Sequence, residues 1–181
     1  FKQLMDSIVR FNDRIISAFV KKNTCDPAFV KLFRIQLKVP LAASYFYYPM
    51  YHSLLNREDE SEIPADFNIF DRMLPKNDID VYQRVYRYKI YEVSYWNNLL
   101  GEKLAGLMSE PEQFVNAYID ELNKLGLHEQ IRDDIGNNFV MQYYNELPEE
   151  AVLILKSRYK EIVVNPKYLK EIERVFQNVL P

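Results

Sequence analysis

Apolar residues recur at three- or four-residue steps through almost every long segment of this chain, and this spacing limits what it can fold into. An α-helix turns once in about 3.6 residues, so side chains at such steps share one helical face. From Phe1 to about Val20 the recurring residues are Leu4, Ile8, Phe11, Ile15 and Phe19. We predict that this segment is a helix with these residues on one apolar face.

Proline and aspartate mark where the next helices begin and end. Asp26 followed by Pro27 is typical of an N-cap and a first helical position. Pro40 is expected to kink that helix or to end it near Val39, because proline lacks the N–H that a helix interior uses. The apolar spacing then returns in four shorter segments, which are predicted to be helices that begin near Pro111, Leu127, Pro148 and Pro166.

The middle of the chain contains the longest helical candidate. Before it, residues 53–66 are predicted to be a solvated acidic loop, and residues 66–74 a short helix. The long candidate runs from Asp78 or Asp80 to about Met108 and is apolar around most of its circumference. A helix of that kind is usually contacted on several sides, so we expect the centre of the core at four of its residues, Tyr88, Tyr95, Trp96 and Leu99.

The fold class follows from these segments and from a shortage of glycine. The chain has 4 glycines in 181 residues and no convincing strand, so turns that need a positive φ are few. This composition argues against a glycine-rich phosphate loop, a β-barrel and a hairpin-rich sandwich. We predict an all-α fold, an antiparallel array of about seven or eight helices, in a single domain that spans residues 1–181.

Charge and apolar runs limit the partners. The chain carries 23 Lys and Arg against 26 Asp and Glu, a net charge of −3, so the whole chain lacks the basic footprint of a nucleic-acid binder. No apolar run approaches the roughly 18 residues that span a bilayer. We therefore expect neither a nucleic-acid partner nor a membrane span in this segment.

Catalytic and metal-binding patterns are missing from the sequence. Cys25 is the single cysteine, so the chain has neither an internal disulfide nor a Cys-x-x-Cys pair. His128-Glu129 is followed by Arg132 where a zinc-protease helix would need its second histidine. The serines lack the glycines of a nucleophile elbow. We predict that this chain is not an enzyme and has no catalytic residue, no metal site and no cofactor.

Two further groups of residues are candidates for a role. The adjacent carboxylates Asp133 and Asp134 point in different directions on a helix, and helix capping with solvent exposure is the expected explanation. Around Pro49 lies an aromatic cluster with polar tips, of the kind enriched at interfaces and in pockets. Core packing between helices is the alternative. The possible contact surface consists of Tyr45, Tyr47, Tyr48, Tyr51 and His52.

The order of several motifs resembles a known family. An Asp-Pro-Ala-Phe-Val-Lys-Leu helix at 26–32 precedes Tyr-Tyr-Pro-Met-Tyr-His at 47–52, and an acidic loop, Asn77-Asp78 and a Tyr-rich helix bearing Tyr86-Arg87-Tyr88 follow. This order resembles the helical region that precedes the thioredoxin domain in multi-domain TlpA-like thiol-disulfide oxidoreductases of Gram-negative bacteria. The Trp-Cys-x-x-Cys motif of that family is absent, since Trp96 is followed by Asn97.

The resemblance implies a non-catalytic part of a redox protein. The chain would be a fragment of a larger exported protein, periplasmic or a lipoprotein anchored to the outer membrane. It would act as an accessory domain, a spacer or a protein-contacting segment whose partner is the thioredoxin domain of its parent or another protein. The alternatives are a free-standing helical module that binds a small ligand or a protein, and the effector domain of a transcription regulator.

Overall fold

The structure, a computed structural model, describes residues 1–56 and 73–179. These residues form eight α-helices, two short 3-10 turns and no strand, so the predicted all-α fold is confirmed. Most of the predicted loop over 53–66 and of the short helix over 66–74 lies outside the described residues. The helices are α1 (Lys2–Lys22), α2 (Pro27–Asn56), α3 (Ile79–Arg84), α4 (Tyr86–Leu104), α5 (Pro111–Lys124), α6 (Glu129–Tyr143), α7 (Glu149–Arg158) and α8 (Pro166–Val179).

The chain divides into two compact units, Phe1–Tyr91 and Glu92–Pro181. Helix α4 contributes its first residues to the first unit and the remainder to the second. Each unit has buried apolar side chains of its own, among them Val39 and Val81 in the first and Val115 and Ile131 in the second. The single domain over residues 1–181 stays a prediction.

Helices α1 and α2 form an antiparallel hairpin in the first unit. Arg34 donates a hydrogen bond to Ser17 Oγ over 3.2 Å, and Lys38 Nζ lies 3.9 Å from an Asp13 oxygen. Further along α2, the Tyr45 hydroxyl reaches the N-terminal end of α1. Residues further along α2 therefore contact residues nearer the start of α1, as antiparallel packing requires.

Helix α2 continues through Pro40 to Asn56, so of the two outcomes expected at this proline, a kink or an end near Val39, the end is excluded. A proline inside a helix removes one hydrogen bond and costs about 3 kcal/mol. Val39 and Ala42, on either side of the proline, are buried. Pro40 itself is exposed. Packing on the buried face stabilises the helix where its own hydrogen bonding is interrupted.

The predicted long helix is two helices, because Val85 has an extended conformation between α3 and α4. Asp78 caps α3 by accepting a hydrogen bond from the Val81 amide over 3.2 Å, which confirms one of the two predicted caps.

The prediction that four residues of the long helix form the centre of the core is only partly correct. Tyr88 is fully buried and donates a 2.6 Å hydrogen bond to the Pro75 carbonyl. Tyr95 and Trp96 are half-buried and Leu99 is exposed, so these three residues do not form the centre of the core.

In the second unit, α5 packs against α6 and α7, and α8 packs against α6. The rings of Tyr118 and Phe139 stack with centroids 3.6 Å apart, and the Tyr118 hydroxyl donates a 2.5 Å hydrogen bond to Asn97 Oδ1. Gly136 allows the backbone at Ile162 to lie close to α6, since a Cβ at position 136 would lie 2.9 Å from the Ile162 carbonyl oxygen.

Asp133 and Asp134 are buried, so the expectation that they are exposed to solvent is wrong. Asp133 accepts a 2.7 Å hydrogen bond from the Val164 amide, and Asp134 accepts one from the Tyr168 hydroxyl. Asp133 therefore holds the segment before α8 against α6, and Asp134 holds the first turn of α8 there. Sequence spacing could not show these partners, which come from more than thirty positions along the chain.

Candidate functional site

The five residues of the predicted contact surface do not share one environment. Tyr45 is buried, so it belongs to the core of the first unit. Tyr48 and His52 are half-buried, with ring centroids 5.2 Å apart. Tyr47 and Tyr51 are exposed on the outer side of α2, with ring centroids 6.3 Å apart. The role of the exposed members in contacting a partner stays a prediction.

Tyr45 and Tyr48 attach the end of α2 to the beginning of α1. The Tyr45 hydroxyl lies 3.2 Å from the Lys2 carbonyl oxygen and 3.3 Å from Asp6 Oδ1. Phe1 stacks on Tyr48 at 4.2 Å between centroids and meets Tyr45 edge-on. Burial, and next the Asp6 carboxylate, raises the pKa of Tyr45 to about 12, so the phenol stays protonated at neutral pH. This cluster fixes the hairpin.

A larger group of apolar residues on the hairpin is exposed. On α1, Leu4, Phe11, Ile15 and Phe19, which the sequence places on one helical face, are 60%, 62%, 53% and 58% exposed. Ile16 is the buried residue of that helix. The exposed apolar face, as we call it, consists of Leu4, Phe11, Ile15 and Phe19 on α1 and of Phe29 and Phe33 on α2.

The six side chains lie toward the same side of the seam between the two helices. Polar contacts from Asp6, Asp13 and Ser17 mark one edge of the seam, and the stack of Phe1 on Tyr48 marks the other. By helical spacing, Phe11, Ile15 and Phe19 share the side of α1 that carries Phe1. Phe29 and Phe33 lie toward the Tyr48 side of α2. The exposed apolar face therefore spans both helices of the hairpin.

Charge is distributed unevenly along the chain. Residues 1–56 contain eight Lys and Arg but three Asp, a net charge of +5, while the whole chain is at −3. Arg10, Arg14, Lys21 and Lys22 are exposed on α1. Within the described part of the chain, none of the four forms an ion pair with a carboxylate. The hairpin is thus a basic surface on an acidic protein, which the overall composition concealed.

The remaining candidates for chemistry have structural roles or no visible partner. His128 caps α6, accepting a 3.2 Å hydrogen bond from the Gln130 amide through Nδ1. Cys25 is a half-buried free thiol between α1 and α2. Over residues 1–56 and 73–179, no group of three or more His, Cys, Asp or Glu side chains is placed to hold a metal ion. In the same residues, no helix is long and apolar enough to cross a membrane.

Two open grooves lie along α8 in the second unit. Their lining is mainly charged, and it does not include the aromatic residues around Pro49. A small-ligand site in an aromatic-lined interior therefore gains no support from them. The groove on the outer side of α8 is lined by Lys167, Lys170, Glu171, Glu173, Arg174 and Gln177.

Comparison with known proteins identifies no relative: no protein-family model, curated protein or solved structure matches this chain. The resemblance to TlpA-like proteins thus depends only on the motifs quoted above.

Proposed function

We propose that this chain is a non-catalytic helical domain that contacts another protein. Its parent would be a TlpA-like thiol-disulfide oxidoreductase, periplasmic or anchored to the outer membrane, for which it serves as an accessory or spacer domain. The partner would be the thioredoxin domain of that parent or a separate protein. The observation that carries the proposal is the exposed apolar face, since contiguous apolar surface of this kind usually marks an interaction site.

The residues favour contact over catalysis. Thiol-disulfide exchange through a dithiol needs two cysteines, and the chain has Cys25 alone. In contrast, Phe11 and Phe19 are more than half exposed, which costs free energy that burial against a partner would recover. Aromatic side chains of this type commonly dominate the binding energy of protein interfaces.

The test is site-specific photo-crosslinking in the cells that produce the protein. A photoreactive phenylalanine analogue replaces Phe11 or Phe33 on the exposed apolar face, and Leu153 in a control variant. Leu153 is half exposed on α7, in the second unit. We expect discrete protein adducts from positions 11 and 33 and none from position 153. Absence of protein adducts at 11 and 33, with the variants folded and abundant, would refute the proposal.

The redox part of the proposal has a separate test. The purified chain should not accelerate the reduction of insulin by dithiothreitol, because it lacks a dithiol. Activity that disappears in Cys25→Ser would contradict the non-catalytic assignment. The reading frame of the parent gene provides the second check, where we expect a Cys-x-x-Cys downstream and an export signal upstream.

A further inference from the structure

We infer that the exposed apolar face binds an amphipathic α-helix of a partner protein, and that this helix carries acidic side chains along one flank. The inference rests on the proposed function and names the chemistry of the partner. Three observations support it. They are the length of the face, the positive charge beside it on α1, and the contacts that the cations of α2 make with other residues.

The extent of the face suits one helix. Its residues on α1 run from Leu4 to Phe19, a distance of about 22 Å at 1.5 Å per residue. Phe29 and Phe33 on α2 lie level with the Phe19 end of this row, as the contact of Arg34 with Ser17 shows. Two antiparallel helices with apolar side chains on the same side of their seam leave room for a third helix. Such a helix would present apolar residues at steps of three and four.

The positive charge lies on one side of the face. Arg14 follows Phe11 by three residues, so it lies beside the face along the outer edge of α1. Lys21, seven residues after Arg14, continues this edge to the last turn of the helix, whereas Lys22 shares the side of Ile15. Arg10, one turn before Arg14, donates a 3.3 Å hydrogen bond to Ser7 Oγ. Carboxylates on the adjacent flank of a bound helix would meet these cations, which fixes the orientation of the partner as well as its charge.

The cations of α2 have other roles. Arg34 and Lys38 contact Ser17 and Asp13 on the opposite, polar edge of the seam. Lys31 forms a 3.0 Å ion pair with Asp78. One flank of the face is therefore basic and the other is not. A helix with one acidic flank matches this asymmetry, whereas anionic lipid headgroups would surround the face on both flanks.

A second copy of the chain is the less suitable occupant. Symmetric pairing of two hairpins would bring together two surfaces that each have a net charge of +5, and like charges at an interface oppose association. Heterologous pairing would leave the face of one copy uncovered in a dimer. Charge complementarity therefore selects an acidic partner.

The experiment measures the binding of two synthetic peptides to the purified full chain by fluorescence anisotropy. Each peptide has about 16 residues, enough to match the length of the face. Each is held helical by a hydrocarbon staple and has Leu and Phe at helical steps on one side. One peptide has Glu along one flank, and the other has Lys at the same positions. We expect the acidic peptide to bind at least about ten-fold more tightly, with an affinity that falls as salt increases.

Two variants test the residues. Arg10→Glu with Arg14→Glu should weaken binding of the acidic peptide about ten-fold or more and should strengthen binding of the basic one. The matched control, Arg87→Glu with Lys156→Glu, makes the same change in net charge at exposed positions on α4 and α7 and should leave both affinities within about two-fold. Phe11→Ser should weaken binding of both peptides.

Several results would overturn the inference. The inference fails if the chain binds the two peptides with equal affinity or binds neither of them. It also fails if the chain binds only phosphatidylcholine vesicles that contain phosphatidylglycerol. A further one is dimerisation in sedimentation that Phe11→Ser abolishes. Protein adducts at positions 11 and 33 together with a failed peptide experiment would leave the proposed function standing and remove only the acidic helix.

Discussion

The Val164 amide donates a 2.7 Å hydrogen bond to Oδ1 of Asp133, and this bond joins the segment before α8 to the middle of α6. Asp133 is 3% exposed. Burial is the strongest influence on its carboxyl and raises its pKa, against the hydrogen bonds from the Val164 and Asn165 amides, which lower it. A buried carboxylate thus supplies an acceptor to backbone that the adjacent helices leave unpaired.

Replacing Asp133 should therefore reveal both the contribution of its hydrogen bond to stability and the effect of its raised pKa. At neutral pH, Asp133→Ala should lower the free energy of unfolding by about 1–3 kcal/mol, because the Val164 amide loses its acceptor inside the protein. Asp133→Asn keeps an oxygen at this position and should cost less. Urea melts of the three proteins measure these differences. Equal stability of wild type and Asp133→Ala would show that the hydrogen bond contributes nothing.

The pH dependence of the same pair has a definite sign. A carboxyl whose pKa is higher in the folded chain stabilises the fold when protonated, and this contribution is lost as pH rises through the folded pKa. Asp133→Asn cannot ionise. We expect the stability of the variant relative to wild type to increase as pH is raised from about 4 to about 7. A relative stability that falls over this range would contradict the raised pKa of Asp133.

Gly136 and Gly101 form a matched pair for a second prediction. A methyl group at Gly136 would lie 2.9 Å from the Ile162 carbonyl oxygen, whereas one at Gly101 meets nothing within 4 Å. Gly136→Ala should destabilise by about 1–3 kcal/mol because α6 must move away from this backbone. Gly101→Ala should stabilise by about 0.5–1 kcal/mol, the gain of alanine in a helix. Thermal melts measure both changes in stability. If both variants were stabilised, the close approach of Gly136 to the Ile162 backbone would be absent.

The burial of three aromatic residues predicts an order of stability losses. Tyr88→Ala should cost about 3–5 kcal/mol, since Tyr88 is fully buried and bonded to the Pro75 carbonyl. Trp96→Ala should cost about 1–3 kcal/mol, since Trp96 is half-buried. Tyr51→Ala should cost less than about 1 kcal/mol, since Tyr51 is 53% exposed. Denaturant melts give the order, and a larger loss for Trp96 than for Tyr88 would reverse the assignment of the core.

The orientation of α1 can be tested with two serine substitutions. Phe11 is 62% exposed and Ile16 is 7% exposed. Phe11→Ser should change the free energy of unfolding by less than about 1 kcal/mol, while Ile16→Ser should cost about 2–5 kcal/mol through lost burial and a cavity. Chemical denaturation followed by circular dichroism measures both. A large loss of unfolding free energy in Phe11→Ser would show that the exposed apolar face belongs to the core.

Most of the helices were predictable because their signals are local. Spacing at three and four residues and the proline and aspartate boundaries predict α1, α5, α7 and α8 closely. The break at Val85 was not predictable, because neither glycine nor proline stands there and its neighbours continue the apolar pattern. Whether Pro40 ends α2 was left open by the sequence, because packing against other helices decides whether the local penalty of proline is outweighed.

The candidate site was predictable in part. The aromatic cluster around Pro49 lies on the same hairpin as the exposed apolar face, but Tyr45 lies in the core of the first unit. The exposure of the apolar residues of α1 was not predictable, because periodicity shows that a helix has an apolar face and does not show what covers it. One signal could have helped. The +5 charge of residues 1–56, set against −3 for the whole chain, already marks the hairpin as a distinct surface.

The sequence by itself determined that this protein is helical, that it has few glycine turns, and that it lacks a dithiol, because each follows from residue type and short-range spacing. Only the tertiary structure decided which apolar side chains are buried and where the buried carboxylates find partners. Ile16 and Ile15 are neighbours of nearly equal hydrophobicity, yet one is buried and the other is 53% exposed. Burial depends on which helix packs against which face, and that choice is made by contacts between residues far apart in the chain.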